Sequence, residues 1–237
     1  MMKKPDKFDF WYAINNTEII AMPTRQLETF GSTILNYHVI SEMMDSISQV
    51  KVREGRIQSY RPQILVPGSS SYQNAVLEGF GEEAERYVDW MRDHKMDLHI
   101  LRYGFKIKKE EFSEHVLTDN LATVAERVQS EIKGRNDPFS AVVLGVDKPW
   151  EVCLLKLMME VIRQSIPSNI QDLQRRNMFG DTDGIPNVIH REIEDGFLAA
   201  ARNPAYIKRL AEKLERYGVL EKYQDRFFSL VRENAEK

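Results

Sequence analysis

Apolar and polar residues alternate with a period near two in the first third of the chain. Later they recur at the three-and-four spacing of helices. The alternation centres on Gln49–Leu65. There Val50, Val52, Ile57 and Tyr60 are interleaved with Lys51, Arg53, Arg56 and Arg61. β-Branched and aromatic residues suit a pleated strand. Glu54-Gly55 offers a turn, because glycine takes positive φ without strain. The stretch predicts a basic β-hairpin. Phe10–Ile14 and Ile19–Met22 predict a shorter hairpin around Asn15-Asn16, and Ile34–Ser41 predicts a strand. Thr24–Phe30 predicts one helical turn, capped by Thr24 and ended at Gly31.

Pro67-Gly68-Ser69-Ser70-Ser71 interrupts the pattern. A helix is expected from Ser70 or Ser71 to His94, carrying Tyr72, Val76, Phe80, Tyr87 and Trp90, with a break at Gly79–Gly81. Leu98–Ile107 alternates like a strand, and Phe112–Leu117 is expected to pair with it. Leu121, Val124, Val128 and Ile132 form one helical face, capped by Thr118 or Asp119 and ended at Gly134. Trp150–Gln164 is apolar around most of its circumference, which marks a buried helix. Its polar side predicts an i,i+4 pair between Lys156 and Glu160. Pro167–Asn177 predicts a further short helix.

Gly180–Pro186 is rich in turn residues. Three amphipathic helices follow, marked by Ile189, Ile193 and Phe197, then Ile207, Leu210 and Leu214, then Leu220, Tyr223, Phe227 and Leu230. Asn203-Pro204 suits the start of the second and Gly218 its end. The expected class is α+β: an N-terminal antiparallel sheet packed on helices, followed by a small C-terminal helical bundle. The expected division is residues 1–179 and 180–237.

With 42% hydrophobic and 29% charged residues, a core and a hydrated surface are both accessible to 237 residues. The net charge of −3 gives no whole-molecule attraction to nucleic acid or anionic lipid, so such binding needs a local patch. One cysteine, Cys153, excludes an internal disulfide and a multi-cysteine metal site. The first residues lack the apolar run of a secretory signal, and no apolar stretch approaches the length of a membrane helix. A cytoplasmic location without membrane contact is the expectation.

The candidate anion or nucleic-acid site is the basic stretch, Lys51, Arg53, Arg56 and Arg61, since cations along a ribbon can follow a phosphate backbone. Lys51 and Arg53 share a parity, opposite to that of Val50 and Val52, and the same pattern fits an ordinary solvated face. Arg102–Lys109 is a second basic run in which aromatics lie among cations. Lys106 and Lys108 are its candidates, and Glu110, Glu111 and Glu114 oppose it. Ser69, Ser70 and Ser71 offer hydroxyls and free N–H groups to an anion at a strand-to-helix junction, without the lysine of a P-loop.

Asp181–Gly184 is acidic but lacks the glycine a calcium loop needs at its sixth position, where Pro186 stands. The five histidines show no metal-ligand spacing, no catalytic signature occurs, and neither metal nor cofactor is expected. The reading this favours is a non-enzymatic protein that binds RNA or a ribonucleoprotein through the basic hairpin. One alternative is an enzyme on a small phosphorylated or carboxylated substrate held at Gly68–Ser71. Another is an assembly subunit with a protein partner.

Overall fold

The computed structural model describes residues 9–43, 48–61, 77–93 and 107–235. The described residues form two compact units that divide inside one long helix, between Asn169 and Ile170.

The first unit holds α1 (Phe10–Asn15), β1 (Glu18–Ala21), β2 (Thr33–Glu42), β3 (Gln49–Ser59), β4 (Leu77–Glu78) and α2 (Glu82–Asp93). It continues with β5 (Ile107–Thr118), α3 (Leu121–Arg135), β6 (Ser140–Gly145) and most of α4 (Trp150–Arg175). The six strands form one sheet in the order β1-β6-β2-β3-β5-β4. β2, β3 and β5 are antiparallel neighbours, β6 runs parallel to β2, and β1 is antiparallel to β6. The class is α+β as expected, but the sheet is mixed. The chain returns to the sheet through α3, and such a helical crossover can deliver a parallel strand.

Side chains alternate across this sheet, so β2, β3 and β6 each feed two cores. On one face Ile40, Val50, Val52 and Val142 meet Val124, Ala125, Val128 and Ile132 of α3. On the other, Leu35, Tyr37, Val39, Ile57, Ala141 and Val143 share a core with Val152, Leu154, Leu155 and Met158 of α4. Full burial of such a side chain is worth about 1.5–3 kcal/mol. That gain explains why α4 is apolar nearly all round.

Gln49–Ser59 is a single strand, so the predicted basic hairpin is not formed. Pairing with β2 on one side and β5 on the other makes β3 an interior strand. Gly55 lies mid-strand, opposite Tyr37 and Phe112. A Cβ there would stand 2.6 Å from Tyr37 Oη and 2.9 Å from Phe112 Cβ. Close approach of neighbouring side chains, and not a turn, requires glycine at this position.

Other local expectations change for identifiable reasons. Phe10–Asn15 is helical because Asp9 caps it, with the Tyr12 N–H donating to Asp9 Oδ1 at 3.1 Å. Thr24–Phe30 is irregular. The N–H groups of Thr24 and Arg25 donate to Pro138 O, and that of Leu27 donates to Ser165 Oγ. Phe112–Leu117 belongs to the same strand as Ile107 and pairs with β3, while 98–106 and the helix start near Ser70 lie outside the described residues. Asn120 caps α3, one residue beyond the expected position. α4 runs on through Pro167, merging two predicted helices. β6 was not anticipated. Its sequence SAVVLG is a continuous apolar run, as befits a strand covered on both faces, and carries no alternation.

The second unit holds a small ribbon, β7 (Asp181–Thr182) and β8 (Ile185–Pro186), then α5 (Asn187–Arg202), a 3₁₀ turn (Pro204–Tyr206), α6 (Ile207–Arg216) and α7 (Leu220–Ala235). Asp183 and Gly184 both take positive φ, as a two-residue ribbon turn requires. The three helices stand where the periodicity placed them. They bury Ile189, Ile193 and Phe197, then Leu210 and Leu214, then Phe227 and Leu230. Asn203 caps the 3₁₀ turn by accepting from the Ala205 N–H at 3.0 Å, and Gly218 follows α6 in the left-handed region. No helix among the described residues is long and apolar enough to cross a membrane.

Candidate interaction surface

The parity predicted for β3 is correct, but both of its faces are covered. Arg53 is 3% exposed. Its Nη2 donates to Asp147 Oδ1 at 2.6 Å, its Nε to Glu114 Oε2 at 2.8 Å and its Nη1 to Ser41 Oγ at 3.3 Å. Lys51 Nζ lies 3.1 Å from Asp147 Oδ1 and 3.2 Å from Glu114 Oε1. Two cations and two carboxylates thus neutralise one another. Burial alone would raise the Asp147 carboxyl, but the bonds from Arg53 and Lys51 outweigh it and hold the group below its ordinary range.

Asp147 sits in the loop between β6 and α4, so this network ties three strands to the start of α4. Trp150 completes it. The Arg53 guanidinium lies 5.2 Å from the ring centroid, and Lys109 Nζ, paired with Glu151, lies 4.6 Å from it.

Arg56, Arg61 and Lys108 do not join this cluster. Arg56 is exposed and pairs in register with Asn36, so it belongs to the α3 face. Arg61 is exposed just beyond β3, and Lys108 is half-buried opposite Gln58. Ser69, Ser70, Ser71 and Lys106 lie outside the described residues.

Cys153, His190 and Lys156 each contact other groups of the protein. Among the described residues no set of three metal-ligating side chains converges. Cys153 is buried and accepts from the Val146 N–H at 3.5 Å, and burial pushes its thiol up. Burial likewise holds the His38 imidazole below its ordinary value, with Glu54 opposing. His190 Nε2 faces the Thr182 carbonyl at 2.9 Å and must donate to it. Its Nδ1 lies 2.5 Å from Tyr223 Oη and accepts from it in the neutral ring. Lys156 does not pair with Glu160. Its Nζ donates to the carbonyls of Ile14 and Thr17, both at 2.8 Å, while Glu160 pairs with Arg163.

One part of the surface of this unit is an aromatic cluster on α1 and α2. On α2, Ala84, Val88 and Met91 enter the core, and the spacing sets Tyr87 and Trp90 on the flank facing α1. Trp11 meets Trp90 edge-on, with centroids 4.6 Å apart and an interplanar angle of 77°. Phe10 contacts both Trp11 and Tyr87, at 5.1 and 5.7 Å. Trp11 stays 39% exposed on this rim. The periodicity had placed Tyr87 and Trp90 on one helix. Trp11 escaped notice because its segment read as a strand, although Asp9 three residues before Tyr12 was a legible cap. The chain matches no known family model, no curated protein and no solved structure.

Proposed function

We propose that this chain is a non-catalytic assembly subunit that binds a partner protein through the aromatic rim of α1 and α2. The observation that carries this reading is Trp11, 39% exposed and braced edge-on by Trp90. Tryptophan and tyrosine dominate binding hot spots because they supply large contact area with few rotors to immobilise. The aromatic packing behind Trp11 holds its ring ready, which lowers the ordering cost of binding.

The nucleic-acid reading has less in its favour. Lys51 and Arg53, its best-placed cations, are neutralised internally, and the net charge is −3. The small-substrate reading rests on Gly68–Ser71, for which no geometry is described.

The test is a photo-crosslinking residue placed at Trp11 in the full chain in its native host, with the same residue at exposed Glu126 of α3 as the control. The expected result is a discrete protein adduct from position 11 that position 126 does not give. Equal adducts from both positions, or none from position 11, would remove the reading.

A further inference from the structure

The helical unit carries a groove between α5 and α6 of about 140 Å³. Its floor is apolar: Gly196 and Ala199 of α5, and Leu210 of α6. Gly196 is what lets the walls stand as they do, since a Cβ there would meet Leu210 Cδ1 at 2.9 Å. Apolar space of about 150 Å³ accommodates a benzene-sized group. The groove therefore suits one leucine or phenylalanine side chain.

The rim adds a sign. Arg209 is exposed and makes no ion pair with any described residue. Lys213, one turn further on, is held by Glu192, with Nζ 3.7 Å from Glu192 Oε2. Asp195 stands on the α5 side and is engaged within the protein. Among the described residues, the unpaired charge at the groove is the guanidinium of Arg209, which matches a carboxylate in a forked pair.

We infer that this groove docks an acidic segment of a partner polypeptide, seating one leucine or phenylalanine side chain on Gly196, Ala199 and Leu210 while a neighbouring carboxylate pairs with Arg209. The inference rests on reading the chain as an interaction subunit, but it uses residues of the helical unit and none of the aromatic rim, so the two can fail independently.

The test is a methyl-detected NMR titration of the full chain at low salt. The probe is a short capped peptide of one phenylalanine flanked by glutamates. Saturable shifts at the Leu210 and Ala199 methyl groups are expected. Replacing the phenylalanine of the peptide with alanine should weaken binding about tenfold, the effect of losing one buried aromatic. Arg209→Gln should weaken it about fivefold, and raised salt should erase that difference. Ala199→Leu should fill the groove and abolish the shift at Leu210, while Trp11→Ala leaves the titration unchanged. Equal binding of the alanine peptide, or an unchanged affinity in Arg209→Gln, overturns the proposal. Should Ala199→Leu lose its helical circular dichroism, the solvent-facing Arg209→Gln variant still decides.

Discussion

Arg53 Nη2 donates to Asp147 Oδ1 at 2.6 Å, at a site where the arginine is 3% exposed. The strand that looks most like a ligand-binding ribbon is an interior strand in which Lys51 and Arg53 pair with the protein's own carboxylates. Removing one partner of such a pair leaves the other charge buried and uncompensated, which is more costly than the pair is stabilising.

Gly55→Ala should destabilise the fold by about 1–3 kcal/mol, the usual cost of overpacking. Its Cβ would press on Tyr37 Oη and Phe112 Cβ. A thermal melt with an unchanged midpoint would show that the strands can part at no cost. Tyr37→Phe should be neutral or stabilising by about 1 kcal/mol, because the Tyr37 hydroxyl is buried without a hydrogen-bond partner among the described residues.

Lys156→Met should cost about 1–3 kcal/mol, since it strands the carbonyls of Ile14 and Thr17 that the ammonium now serves. Glu160→Gln should stay within about 0.5 kcal/mol. Urea unfolding of the two variants separates this arrangement from a surface i,i+4 pair, for which both would be mild.

Stability should fall with acid. The Asp147 carboxyl is held below its ordinary value in the folded state. Its contribution is therefore complete above the unfolded value near about 4, and is lost as pH falls through the lower folded value. Asp137 is held down by the Phe139 N–H and the Ser140 hydroxyl, and Glu194 by Arg226, so they add slope of the same sign. Asp147→Asn should be less stable at neutral pH and show a shallower acid loss, read from unfolding midpoints between about pH 6 and pH 3. An identical slope in the variant would mean that the carboxylate is not tied as described.

The three C-terminal helices were legible because each has one apolar face, and Asn203-Pro204 and Gly218 mark the ends of the second. The class and the strand around Ile34–Ser41 were legible from alternation, while of the hairpin read around Asn15-Asn16 only the arm at Ile19–Met22 is a strand. What misled was the middle of the sheet. Alternation of valine with lysine and arginine reports only that two faces differ, and β3 meets an apolar helix on one side and carboxylates on the other. Nothing near Arg53 in sequence announces Glu114 or Asp147, which arrive from 61 and 94 residues away. Glycine beside glutamate reads as a turn, and only the Tyr37 ring across the strand shows why the position must be bare. Trp11 was hidden for a local reason, because a six-residue helix is too short for its periodicity to show.

The central claim is that Lys51 and Arg53 of β3 hold the fold through Asp147 and Glu114. The most direct measurement is the urea unfolding free energy of Arg53→Ala beside Arg56→Ala. Arg53→Ala should lose about 3–5 kcal/mol by leaving Asp147 buried and half-paired, while the exposed Arg56→Ala should change by less than about 0.5 kcal/mol. An Arg53→Ala variant as stable as the parent would contradict the account and return the basic stretch to the surface.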